Sequence, residues 1–200
     1  QFGPLLRNCI DIGRDGKFLA LTLCGAMQFA GVMLFVGSAP VIVLDVWKLT
    51  ETDFAQLFIP IVGGFMTGAL VAGRIAGRVE PLKQLRFGLA LPPLAGLCGV
   101  LLNHFFDPPR IAHQLLIYLT ALGIQFVFPV LTLRAFEMYP TLRGTVSSVQ
   151  TFVQLVLGTV VVGLAAPLLS THMEWLSLGQ LAFGLAAIAL AALSHRLGGL

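Results

Sequence analysis

The chain has 200 residues, of which 57% are hydrophobic and only 10% are charged. Soluble domains contain about 25% charged residues, so this composition, with a mean hydropathy of +0.92, excludes a soluble globular protein. The formal net charge of +3 does not indicate nucleic-acid binding, because the basic residues neither cluster on one helix nor alternate with aromatic residues.

Six stretches without Asp, Glu, Lys or Arg follow one another along the chain. Crossing about 30 Å of hydrocarbon takes roughly 20 apolar residues in a helix. A charged side chain at the centre of such a helix costs about 2.5 to 3.5 kcal/mol, so its absence from all six stretches indicates membrane insertion. We predict an all-α polytopic membrane helix bundle with spans at about 18–44, 54–73, 87–106, 114–133, 144–169 and 176–194.

The loops between these spans carry an uneven distribution of positive charge. Of the twelve Lys and Arg residues, ten lie on the side of the two termini, whereas Lys48 and Arg110 lie on the other side. Cytoplasmic loops are enriched in Lys and Arg. We therefore predict a multi-pass protein of the inner cell membrane, surrounded by lipid, with residues 1–17 as a cytoplasmic linker and 195–200 as a cytoplasmic tail.

The second span contains small residues four and five positions apart, which predicts tight packing inside the bundle. They are Gly63, Gly64, Gly68 and Gly73. The fifth span also has glycines, at 158 and 163, so the two groups of three spans are compatible with a three-plus-three inverted repeat.

Polar residues recur on one face of the first, fourth and fifth spans. In the fifth span Ser147, Gln150 and Gln154 are spaced three and four residues apart, which places them on one helix face. We interpret the three faces as the wall of a substrate cavity that suits a bulky, weakly polar molecule. The alternative is that these amides only join helices, by hydrogen bonds worth about 0.6 kcal/mol each. The predicted cavity residues are Gln28, Phe29, Phe35, Ser38, Tyr118, Gln125, Phe126, Ser147, Gln150 and Gln154.

Groups that would support chemistry are sparse. No carboxylate lies inside a span, and the four histidines fall near span ends, so the pattern indicates neither a proton relay nor a metal site. The three cysteines are predicted to be packed thiols. The chain has no Gly-x-Ser-Gly-like motif with a membrane-embedded histidine, and no paired acids of a lipid-modifying phosphotransferase, so we do not expect an enzyme.

Four segments resemble the C-terminal six helices of a major facilitator superfamily transporter. They are residues 35–44 (FVGSAPVIVL), 49–54 (LTETDF), 73–78 (GRIAGR) and 140–148 (PTLRGTVSS). The resemblance covers residues 17–196 and is greatest to the bicyclomycin-resistance (Bcr/CflA) group of multidrug efflux proteins. The third segment departs from the superfamily's loop motif, since Gly73 stands where the motif has an acidic residue.

This resemblance implies that the spans are helices seven to twelve of a twelve-helix fold, partnered by an N-terminal six-helix half. It implies alternating access, a substrate site between the halves, and export of small hydrophobic or cationic compounds driven by the proton gradient with no other cofactor. The proton-carrying acids of such exporters commonly lie in the N-terminal half. Arg74, Arg78 and Arg143 are expected to be cytoplasmic anchors, with a direct gating role as the alternative.

Two other functions stay open on the sequence alone. A transporter of the same fold could carry a small metabolite such as a sugar or nucleobase. A six-span scaffold protein would need no transport cavity.

Overall fold

The computed structural model describes residues 9–199, which form a bundle of six long helices without β-strands in that range. Each of the six is long and apolar enough to cross a membrane, which confirms the predicted all-α polytopic bundle. The helices are α1 Gly16–Gly37, α2 Ala55–Ile75, α3 Pro81–Phe105, α4 Arg110–Met138, α5 Arg143–Leu169 and α6 Met173–Arg196.

Several helices extend beyond the charge-free stretches. Helix α3 begins at Pro81, where the missing N–H costs nothing, instead of at residue 87. Helix α4 runs from Arg110 to Met138, although the charge-free stretch covers only residues 114–133. Long charged side chains near a helix end can reach the membrane surface. The positions of charged residues therefore limit the length of helix inside the hydrocarbon, but not the total length of the helix.

Two helices change their winding close to a proline. The α-helical part of α1 ends at Gly37, and the chain continues after Pro40 as a π-helical segment, Val41–Val46, so the predicted span 18–44 is not one regular helix. In α5 the segment Val161–Ala165 is π-helical and is followed by Pro167. A proline removes one backbone donor and crowds the preceding turn, which favours such local rewinding.

Helices α1 and α4 are the central elements of the bundle. Helix α4 packs on α2 and α3, whereas α1 packs on α5 and α6, and α1 and α4 also contact each other. Helices α3 and α6 close the bundle behind them. The first helix of each group of three therefore packs on the second and third helices of the other group. This arrangement is compatible with two related groups, α1–α3 and α4–α6. Helices α2 and α5 are peripheral.

One face of α2 approaches α4 closely. A Cβ atom at Gly64 would lie 2.5 Å from the carbonyl oxygen of Tyr118, and one at Gly68 would lie 2.8 Å from Cβ of Gln125. No atom lies within 4 Å of the corresponding position at Gly73. The predicted tight packing of this helix is therefore right for two glycines, but α2 lies at the edge of the bundle and not inside it.

The two ends of the bundle are distinguished by side-chain contacts. At the Asp15 end, where α1 begins, the Tyr139 hydroxyl donates a hydrogen bond of 2.6 Å to Asp15. At the His113 end, where α4 begins, His104 Nδ1 lies 3.1 Å from Glu174 Oε1 and thereby joins α3 to α6.

Candidate functional site

The three helices that carry the predicted cavity residues are neighbours. In α1, a Cβ atom at Gly25 would lie 3.4 Å from a methyl group of Leu131 in α4 and 3.8 Å from Nε2 of Gln154 in α5. The small glycine thus lets α4 and α5 approach α1 at the same level. This meeting point is a candidate part of a polar site.

Gln150 and Gln154 line one small cavity at this meeting point. Its volume is about 10 Å³, which is about what one water molecule needs. Gln150 is only 6% exposed. Besides the two amides, the wall contains two hydroxyl groups, from Thr22 and Thr132. The cavity offers polar contacts to a small group, but it does not hold a drug-sized molecule.

Tyr118 and Gln125 face a different neighbour, helix α2. The Tyr118 hydroxyl lies 2.8 Å from Oγ1 of Thr67, close enough for a hydrogen bond between the helices. Gln125 lines a groove of about 290 Å³ between α2, α4 and the start of α3, with walls that include Ala72 and Pro129. That volume lies near the lower limit of small-molecule sites, and the lining is mostly apolar with a few amides, as is typical of them.

The remaining cavity residues are distributed over other parts of the bundle. Gln28 and Ser38 are each 1% exposed, and their side-chain polar atoms have no hydrogen-bond partner. Phe126 packs edge-on against Phe87 of α3, with ring centroids 5.3 Å apart. Phe35 is buried, Phe29 is half-buried beside Gly158, and Ser147 is exposed.

The structure therefore brings Gln150 and Gln154 together but places Gln125 in the α2–α4 groove and Gln28 in the interior. The reason lies in the central position of α1 and α4. Each of these helices has neighbours on several sides. Polar residues of one such helix therefore contact different neighbouring helices. Whether any of the ten residues contacts a substrate stays a prediction.

Several buried polar residues outside the predicted set contribute to the interior. Gln84 of α3 donates a hydrogen bond of 3.1 Å to the carbonyl oxygen of Phe126 in α4. Gln180, His113 and Thr120 line a further cavity together with Phe35. The isolated Gln180 in an otherwise apolar helix was a signal, because a lone amide inside the membrane is costly without a partner.

The three arginines expected to be anchors lie at the Asp15 end and are exposed. Arg74 is in the last turn of α2, Arg78 follows in the turn to α3, and Arg143 is the first residue of α5. None of the three forms an ion pair within residues 9–199.

No group of three or more His, Cys, Asp or Glu side chains that could hold a metal ion occurs in the part of the chain that the structure describes. Cys24 is buried, Cys9 is half-buried and Cys98 is exposed, all with free thiols. The polar sites of this bundle consist mainly of amides, hydroxyls and one buried histidine.

Comparison with known proteins gives a consistent but distant likeness. No protein-family profile matches the chain. The chain is 28% identical over 189 residues to the multidrug resistance protein MdtM of Escherichia coli K12, which covers 92% of this chain and 43% of that protein. It is 27% identical over 148 residues to MdtM of Salmonella typhimurium LT2, covering 72% of this chain and 35% of the relative. The chain thus spans less than half the length of the curated relatives it matches.

Proposed function

We propose that this chain is one six-helix half of a secondary transporter that exports drugs or other small hydrophobic or cationic compounds. The observation that carries the proposal is the likeness to MdtM, named a multidrug resistance protein, over 92% of the chain. A six-helix bundle that matches 43% of such a relative has the size of one half of a two-half transporter. The relatives also weigh against an enzyme.

The surface of the bundle supports a second half. Helix α5 packs mainly on α1, and Ser147 and Thr151 are exposed on it. Polar side chains at membrane depth usually face protein or a water-filled cavity and not lipid. We infer that the partner half covers this side, and that the substrate site lies between the halves.

In this proposal the glutamines give the substrate site its few polar contacts. Gln150 and Gln154 lie where α5 meets α1 and α4, and Gln125 lies in the groove beside α2. Rocking of the halves would expose these side chains alternately to the two sides. Arg74, Arg78 and Arg143 would anchor the moving half to the cytoplasmic lipid surface, where anionic headgroups attract basic side chains.

The finer assignments belong to the same proposal. The transporter would be of the major facilitator superfamily and of its Bcr/CflA group, would reside in the inner membrane with both termini cytoplasmic, and would be driven by protons. No Asp or Glu lies in the central part of any of the six helices. The main proton-carrying acids would therefore belong to the N-terminal half.

The test is efflux by the intact gene product in a host that lacks its own drug pumps. Lipophilic cations and chemically unrelated antibiotics are loaded, and their loss is followed with and without a protonophore. Protonophore-sensitive efflux of several unrelated compounds is the expected result. Absence of efflux despite verified membrane insertion would contradict the proposal and favour a narrow metabolite transporter.

A matched pair of variants tests the polar site. Gln154→Leu removes an amide at the α1–α4–α5 meeting point and is expected to change the relative efflux of different substrates. Thr159→Val on the same helix is the control, because the Thr159 hydroxyl is exposed and donates to its own helix carbonyl at 2.8 Å. Equal behaviour of the two variants for every substrate would remove Gln154 from the site.

A further inference from the structure

A second internal cavity lies between α1, α3, α4 and α6, near the His113 end. Its volume is about 10 Å³, again the space of one water molecule. His113, Thr120, Ser177 and Gln180 supply the polar part of its wall, and Phe35 supplies part of the apolar wall. All four polar residues are more than nine-tenths buried.

A chain of hydrogen bonds sets the tautomer of His113. Nδ2 of Asn103 donates to the carbonyl oxygen of Gly99 at 2.6 Å, so Oδ1 of Asn103 is the atom that faces the histidine. His113 Nε2 lies 2.9 Å from this oxygen and must therefore be the protonated nitrogen. Nδ1 is left as an acceptor, and it is buried without a partner.

The other polar groups on the wall also present lone pairs. The hydroxyl of Thr120 donates to the carbonyl oxygen of Leu116 at 3.0 Å, and that of Ser177 donates to Met173 at 2.9 Å. Their single protons are thus used within their own helices. Oε1 of Gln180 is a further buried acceptor without a partner.

Gln180 packs against a glycine of the facing helix. A Cβ atom at Gly31 of α1 would overlap Oε1 of Gln180 and lie 3.0 Å from its Nε2, so a larger residue there would displace the amide. The cavity therefore combines two buried, unpartnered acceptors with the volume of one water. Leaving such groups unpaired is destabilising, and a molecule that donates hydrogen bonds to them would remove this cost.

We propose that this cavity is a proton-binding site, in which one trapped water donates hydrogen bonds to Nδ1 of His113 and Oε1 of Gln180 and passes a proton to Nδ1 on acidification. The proton comes from hydronium in the compartment at the His113 end. It is transferred to the trapped water, whose own proton moves to Nδ1, so the net reaction is uptake of one proton by one imidazole.

The charged groups around His113 are few. Burial disfavours the charged form of His113, whereas the charge of Asp107, in the turn before α4, favours it. Arg110 begins the same helix one turn away. On α3 and α6 the acidic and basic side chains at this end are His104 and Glu174, which pair with each other at 3.1 Å. Helix α1 carries no acidic residue, and Lys17 lies at its opposite end.

Protonation would change the contact of His113 with α6 and keep its contact with α3. With a proton on Nδ1, His113 becomes a donor on both sides, towards Asn103 of α3 and towards the water or Gln180 of α6. The imidazolium is then held by acceptors on both neighbouring helices. The site links α3, α4 and α6 through one titratable side chain, independently of what the protein transports.

The experiment is solid-state nitrogen NMR of the intact protein, labelled at histidine and reconstituted in lipid. At about pH 8, above the ordinary histidine pKa of about 6.5, the His113 signals should show a protonated Nε2 and a bare Nδ1 in contact with water. At about pH 5 both nitrogens should be protonated. His113→Asn assigns the signals, because it removes one of only four histidines.

Two variants distinguish the trapped water from general hydration. Gln180→Leu removes the second acceptor and should abolish the water contact of Nδ1, whereas His172→Asn, an exposed histidine at the same end, should leave it unchanged. Four results would overturn the proposal. At pH 8 these are the opposite tautomer or an Nδ1 without water contact. The others are a ring that stays neutral at pH 5 and displacement of the water signal by ammonium.

Discussion

Tyr139 Oη donates a hydrogen bond of 2.6 Å to Oδ2 of Asp15 and so ties the end of α4 to the start of α1. Asp15 is also the N-cap of α1, since its Oδ1 accepts from the Lys17 backbone N–H at 2.9 Å. The Tyr139 ring packs edge-on against Phe18, with centroids 5.9 Å apart. One carboxylate thus caps one central helix and holds the other.

Removing the Tyr139 hydroxyl should loosen this end of the bundle. Tyr139→Phe keeps the ring against Phe18 but removes a hydrogen bond to a charged acceptor, and we expect a loss of about 1 kcal/mol because the pair is largely solvent-screened. The measurement is the thermal midpoint in detergent. Tyr139→Leu, which also removes the ring, should lower the midpoint further; equal midpoints for the wild type and Tyr139→Phe would show that the bond contributes nothing.

The same bond predicts a pH window. The hydrogen bond from Tyr139 lowers the pKa of Asp15 below its ordinary 3.8, so the stabilisation is present above that value and is lost as the pH falls through the lowered pKa. Burial and the Asp15 carboxylate raise the pKa of Tyr139 from 10.0 to about 12, so the stabilisation is present below 10 and is lost as the pH rises through about 12. The difference in midpoint between wild type and Tyr139→Phe should be constant between about pH 4 and pH 10. A steady slope across neutral pH would point to another titrating group.

The close approach of α2 and α4 should make one glycine irreplaceable and leave another tolerant. Gly64→Ala would place a methyl group 2.5 Å from the Tyr118 carbonyl oxygen, and overpacking of this kind typically costs about 1 to 3 kcal/mol. Gly73→Ala meets no atom within 4 Å and should be neutral or stabilising, because alanine favours helix. Folded yield and thermal midpoint measure both. Equal tolerance of the two substitutions would contradict the helix approach.

The predicted orientation can be checked by cysteine labelling in intact cells. Val79→Cys at the Asp15 end and Phe106→Cys at the His113 end are both exposed positions, introduced into a chain whose three native cysteines are replaced. An impermeant thiol reagent added outside should label Phe106→Cys at once and Val79→Cys only after the cells are opened. The reverse pattern would place the termini outside.

Features that depend on local composition are predictable from this sequence. Charge-free stretches located all six helices, because the membrane excludes charge whatever the neighbouring helix is. The helix ends are less predictable, since α4 continues through Arg134 and Glu137, a pair 3.1 Å apart that satisfies its own charges. A window defined by charge cannot detect such an extension.

For the candidate site, the sequence located polar residues but not their neighbours. Gln150 and Gln154 line one small cavity, since they lie one helical turn apart on one face. Gln125 and Phe126 are adjacent in sequence, yet one lines the α2 groove and the other packs on Phe87 of α3. Consecutive residues on a helix point about 100° apart, so only the arrangement of neighbouring helices decides what each contacts.

By itself, the sequence determined that this protein is a six-helix membrane bundle, because insertion of each helix depends on its own apolar length and charge. The tertiary structure alone decided that α1 and α4 are central, that Tyr139 bonds to Asp15, and that His113 and Gln180 face one small cavity. These relations join residues up to 124 positions apart. They depend on close packing between helices, where a glycine such as Gly31 leaves room for the amide of Gln180.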